Sequence, residues 1–198
     1  MLSRDAEHLY WLTRYVERIE NTARMINVHS ELMLDFPGDQ SLGWKPIIET
    51  MDSKKFFKKR YSEYSEISAV KFLGDDKENV NSIISSLDMA RYNARAIKDD
   101  LPRSATEQLN NLFNEFKTGM ASSSNRRKRA SYIYNVISGS QRFFGIISDN
   151  FSRGYAFEFM RLGRFIERID MISRIIDSLC IMQSKDCLLY TSPSPRDP

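Results

Sequence analysis

Side chains able to do chemistry are sparse in this chain. The two histidines, His8 and His29, are 21 residues apart on one expected helix. That is about 31 Å along a straight axis, so they cannot share a site. Glu17 with Glu20, and Glu167 with Asp170, have the i, i+3 spacing that imitates half of a di-metal carboxylate centre. Such a centre also needs Glu-x-x-His on facing helices. That spacing is absent, and each acidic pair has arginines beside it that would repel a cation. Cys180 and Cys187 make neither a zinc spacing nor a disulfide framework. Cys180 reads as a core residue of the last helix. No catalytic residue, metal or other cofactor is expected.

The candidate that remains is a repeated motif. Residues 12–27, LTRYVERIENTARMIN, recur as residues 162–177, LGRFIERIDMISRIID, with seven of sixteen positions identical. In the first copy Leu9, Leu12, Val16, Ile19, Ala23 and Ile26 alternate spacings of three and four and form one apolar stripe. Glu17, Arg18 and Asn21 lie within about 60° of Arg14 on the opposite side of the helix. Glu20 and Arg24 flank them at i, i+4 in the favourable order for an ion pair. In the second copy Phe159, Leu162, Ile166, Ile169 and Ile176 make the stripe, and Arg164, Glu167, Arg168, Asp170 and Arg174 the charged side. Two readings stand. The charged faces are solvated and held by surface pairs worth about 0–1 kcal/mol, or they meet other helices as a partly buried network that fixes register or offers guanidiniums to an anion. Met25, Met171 and Ile175 sit among the charges, which favours the second. Arg91, Asn93 and Arg95 echo the motif and are candidates to complete a cluster with Glu17 and Glu167.

The elements that must position these groups read as helices throughout. Gly (8) and Pro (6) are scarce, while Leu, Ile, Met, Arg and Glu are plentiful, a balance that favours helix over sheet. The pattern predicts a long helix over 3–34, stopped by DFPGDQ, and a short one near Trp44–Met51. One or two more follow, ending at Gly74. Strong helices come next over 82–100 and from Ser104, which has capping-box spacing with Glu107. GMASSSNRRKR, residues 119–129, reads as a loop. A helix over about 128–150 and a last one running to about Gln183 complete an all-α antiparallel multi-helix bundle. Phe56, Phe57 and Tyr61 read as core. Gly163, isolated within a helix, predicts close helix packing.

A net charge of +3 is too small to argue for nucleic acid. Residues 125–129 and 54–60 would have to share one face to make a basic surface. No stretch approaches about 20 apolar residues and the opening lacks a signal-peptide pattern, so the expected location is the cytoplasm, with no membrane role.

MLSRDAEHLYWLTRYVERIENTARMINVH resembles the opening of the bacterial alpha-E domain family. FLGDDKENVNSIISSLDMARYNARAIKDDL and FEFMRLGRFIERIDMISRIID are similar to its later segments. Val80, Tyr92 and Ile172-Ser173-Arg174 depart from its usual residues. The resemblance implies a tandem duplication with units of about 150 residues, so this chain would hold one full repeat plus the first helix of the next, in a domain over 1–183. Ile175, Leu179 and Ile181 are then expected to be partly uncovered. Residues 184–198 are expected to be a disordered tail. From Cys187 the chain resembles translated sequencing-adapter read-through, so the natural protein is expected to end elsewhere. The resemblance also implies a setting beside ATP-grasp-like ligases and transglutaminase-like proteins. The expected function is a non-catalytic helical scaffold or accessory protein in peptide or amide-bond synthesis or modification. The alternatives are a binding or catalytic subunit using the Arg/Glu cluster on an anionic peptide or nucleotide, and a weak nucleic-acid binder.

Overall fold

The computed structural model describes residues 2–35, 43–122 and 125–187, and among these it contains eight helices and no strand. They are α1 (Ser3–Asp35), α2 (Lys45–Thr50), α3 (Lys54–Lys58), α4 (Glu66–Gly74), α5 (Ile83–Ala96), α6 (Arg103–Ser122), α7 (Arg126–Asn150) and α8 (Tyr155–Cys187). Of the break expected over 35–40, residues 36–40 lie outside the described residues, as do residues 188–198 of the tail expected over 184–198; α1 includes Asp35 and α8 is helical through Cys187. No helix among those described is long and apolar enough to cross a membrane.

Local chemistry sets the boundaries. Ser65 and Ser68 cap α4 reciprocally, each side chain bonding the other's backbone N–H. The Ser82 hydroxyl accepts from the Ser85 N–H to start α5, and Asn125 accepts from the Arg127 N–H to start α7. That last cap corrects the expected loop: α6 continues to Ser122 and α7 is helical from Arg126. Ser104 is already inside α6, and Glu107 pairs with Arg103 at 2.7 Å.

Consecutive long helices run antiparallel. His8 meets Asn93 and Arg18 meets Asn81, so α5 descends along α1. Arg91 meets Asn110 between α5 and α6, and Gln108 donates to the Gly139 carbonyl between α6 and α7. Arg126 donates to the Ser30 carbonyl while Thr13 shares a cavity with Ile147, which lays α7 antiparallel to α1. The helix that closes the bundle keeps this alternation and so returns alongside α1 in the same direction. Gly163 lies against Tyr10 and Thr13, and Arg168 reaches Glu17, so α8 runs parallel to α1.

The core forms around α1. Leu9, Leu12, Val16, Ile19, Ala23 and Ile26 are all buried, and α1 packs on α5, α7 and α8. Each Leu or Ile in that stripe contributes about 1.5–3 kcal/mol by leaving water. Phe57 is fully buried, stacked on Tyr61 and Tyr64 and edge-on to Phe72, which ties α3 and α4 together. Phe56, expected in the core, is exposed with the Lys59 ammonium over its ring.

The second copy of the stripe departs furthest from expectation. Phe159, Leu162, Ile169 and Ile176 are exposed, as are Leu179 and Ile181, and Ile166 is half-buried. Ile175 is half-buried against the core and, like the exposed Leu179 and Ile181, is partly uncovered as expected. Cys180 is exposed, not a core residue. The side of α8 that is buried carries Phe157, Met160, Gly163, Glu167 and Met171.

Candidate functional site

The two copies of the motif meet each other along their charged sides. The charged α1–α8 pairs and the glycine contact join residues whose numbers differ by 147 to 153, close to the 150-residue offset of the repeat. This register depends on Gly163, which stands where α1 has Thr13. A Cβ there would collide with the Tyr10 carbonyl oxygen and the Thr13 hydroxyl, so glycine permits the helices to touch.

Just beyond that contact the carboxylates cross over. Glu167 accepts from Arg14 Nε at 2.7 Å and from Arg18 Nε and Nη2 at 2.6 and 3.0 Å. Glu17 accepts from Arg164 Nε at 3.1 Å and Arg168 Nε at 2.7 Å. Each glutamate therefore takes the two arginines that flank the other glutamate at −3 and +1. Glu17 and Glu167 are 1% and 2% exposed. Both oxygens of both carboxylates are engaged by guanidiniums, as buried carboxylates require. Charge-assisted bonds of this kind are roughly twice as strong as neutral ones.

Aromatic rings cover the arginines. The Arg14 guanidinium lies over Tyr10 and Trp11, Arg18 over Tyr15, and Arg164 3.8 Å from the centroid of Phe144. Burial by itself lowers the pKa of Arg14, but its hydrogen bonds to Tyr10 and Glu167 outweigh this and raise it above the usual guanidinium value. Arg168 is raised as well, first by its hydrogen bond to Glu17 and then, against some burial, by attraction to Glu17 and Glu20. The arrangement holds two helices in register.

The remaining candidates divide. Glu20 pairs with Arg24, and Asp170 with Arg174, within their own helices at 2.7 and 3.0 Å. The Glu20 side chain is 5% exposed and the Asp170 side chain 41%. Arg91, Asn93 and Arg95 do not join the network. Arg91 donates to Asn110 and lies 4.0 Å from the centroid of Phe113, and its pKa is lowered by burial and by Arg95. Asn93 bonds His8 and the Met89 carbonyl, and Arg95 is exposed. Asn81, in the turn before α5, does join by accepting from Arg18 Nη1 at 3.3 Å. Sequence reasoning missed it because a contact 63 residues away leaves no periodic signal.

A cavity of about 400 Å³ opens beside the network, lined by Thr13, Phe144, Phe157, Arg153, Arg161 and Arg164 among others. Of the network only Arg164 reaches it. The basic segments are tied down separately. Arg126 and Arg129 pair with Glu66, Lys54 with Glu49, and Arg60 with Asp76. Among the described residues no group of three His, Cys, Asp or Glu side chains could hold a metal ion.

The dipeptide Glu-Arg occurs twice in the chain, at 17–18 and 167–168, and both occurrences are in this network. A family model described as a predicted alpha-helical domain with a conserved ER motif, Alpha-E, matches residues 1–192. The chain belongs to the Alpha-E family. No curated protein and no solved structure matches it. In this Alpha-E chain each Glu-Arg supplies the carboxylate for one half of the clamp and one guanidinium for the other.

Proposed function

We propose that this Alpha-E chain is a non-catalytic helical scaffold or accessory protein. The observation that supports the reading is the closure of the network: four guanidiniums and two buried carboxylates satisfy one another, leaving neither a free acid nor a free base. Energy placed in such a clamp fixes geometry. The setting we propose is a bacterial, cytoplasmic system for peptide or amide-bond synthesis or modification, with an ATP-grasp-like ligase or a transglutaminase-like protein as partner. The chain would comprise one helical unit of about 150 residues and the first helix of a second. Affinity capture with the tagged protein from its native host tests this. Reproducible co-purification of the ligase-like or transglutaminase-like protein is expected. Its repeated absence, or turnover by the purified chain, would overturn the scaffold.

One observation favours a second reading, in which the chain binds an anionic peptide or nucleotide. Arg153, Arg161 and Arg164 line the 400 Å³ cavity with Phe144 and Phe157, and no carboxylate lines it. Titration with ATP and with an acidic peptide checks it. Saturable binding abolished by Arg153→Ala would support it, and no binding at millimolar ligand would exclude it.

A further inference from the structure

The twin helices are covered unequally. In α1 the charged side is closed by α8 and the apolar side by α5 and α7. In α8 the charged side is closed by α1 while the apolar side is bare. The bare side is continuous: Leu162, Phe165, Ile169, Ile172, Ile176 and Leu179 alternate spacings of three and four, and each is at least 43% exposed. Such a seam is the pattern of a helix that packs against other helices, and an exposed apolar strip of this length marks an interaction surface.

The covered twin indicates what fits the bare one. At the 150-residue offset Leu9 corresponds to Phe159, Leu12 to Leu162, Val16 to Ile166, Ile19 to Ile169 and Ile26 to Ile176. Each of those α1 residues is at most 2% exposed, beneath two helices that run antiparallel to α1. Charge agrees with the same direction. Arg153 and Arg161 are exposed at the N-terminal end of α8, where the C-termini of antiparallel partners would lie. Helix C-termini carry partial negative charge and unsatisfied carbonyls, which cations stabilise.

We infer that the bare face of α8 is the docking surface for an antiparallel helix pair of the α5/α7 kind, seated on α8 as α5 and α7 are seated on α1. The pair presents apolar side chains at helical spacing and brings its C-terminal ends to Arg153 and Arg161. This deepens the scaffold reading by naming a surface and the class of partner it takes. The test reads burial, not clientship, so either can fail alone.

The probe is the chain lengthened by a second copy of its own residues 34–150 placed after Gln183, so that α8 takes the place of α1 in the added unit. With Cys180→Ser and Cys187→Ser as background, Ile169→Cys is labelled with a thiol reagent in both chains, and Lys98→Cys serves as an exposed control. The labelling rate at position 169 is expected to fall at least tenfold in the lengthened chain while position 98 keeps its rate. An unchanged rate at 169 overturns the inference. So does slow labelling in the original chain together with a dimer by sedimentation, because a second copy would then occupy the face.

Discussion

α1 and α8 share a motif but not an environment. Both put arginine and glutamate on one side and an apolar stripe on the other. Only α1 is enclosed on both. The difference teaches that the spacing of apolar residues says which face of a helix can be buried, while the neighbours say whether it is. The charged sides carry the opposite lesson. Their residue types fitted either a solvated face or a buried network, and Glu17 and Glu167 are buried because each finds its two arginines on the other helix.

The sharpest way to break the comparison is to put the same charge at matching positions. Leu12→Asp places an unpaired carboxylate at a fully buried site and is expected to cost more than about 4 kcal/mol, enough to unfold the chain. Leu162→Asp, at a site 47% exposed, should stay within about 0.5 kcal/mol. Urea denaturation of the two variants side by side is the check. Equal losses would mean that the α8 stripe is covered after all.

Removing either carboxylate should rank next. Glu17→Ala and Glu167→Ala each leave two arginines without their partner in a mostly buried site, and a loss of about 3–5 kcal/mol is expected for each. The effects should not add, because both substitutions act on one network. Gly163→Ala forces the helices apart at their closest approach and should cost about 1–3 kcal/mol. Alanine at Thr13, the matching position, removes a hydroxyl that bonds the Leu9 and Tyr10 carbonyls and creates no clash. It should therefore cost less than Gly163→Ala in the same denaturation series.

A buried carboxylate outside the twin pair sharpens the contrast through pH. Asp76 accepts from the Tyr61 hydroxyl at 3.0 Å and pairs with Arg60. Burial, and then this bond to Asp76, push the Tyr61 hydroxyl up to about 12. A raised folded pKa favours the protonated form. The stabilisation is therefore complete below about pH 10 and is lost as pH rises from 10 towards 12. Thermal melts should fall across that window, and Tyr61→Phe should flatten the fall while costing about 0.5–1.5 kcal/mol at neutral pH. The smallest effect is expected at Asp170→Ala, which removes a half-exposed pair within α8 worth about 0–1 kcal/mol.

Much of this was legible in the residues. The stripe of α1 is periodic and buried throughout, and the repeated spacing of Arg14, Glu17 and Arg18 with Arg164, Glu167 and Arg168 marked the network. Met171 is buried among the charges, with Met25 and Ile175 packed on the core beside it, as their position in the motif implied. Other features were not legible for physical reasons. Arg91 and Asn93 echo the motif in sequence, but they sit on a helix whose polar face turns to α6 and His8. Asn81 enters through a tertiary contact with no local pattern. The Ser-rich run after Gly119 looked like a loop because Ser and Asn favour caps and turns. Asn125 does cap a helix there, and the arginines that follow are already helical. The close approach of α8 to α1 rests on one glycine, whose meaning depends on what it faces.

The most direct test of the clamp is a double-mutant cycle between Arg18 on α1 and Glu167 on α8, with each changed to Ala singly and together and stability measured in urea. If the motif copies hold each other, the coupling should be about 1–3 kcal/mol in favour of the pair. Losses that simply add, to within about 0.5 kcal/mol, would contradict the account.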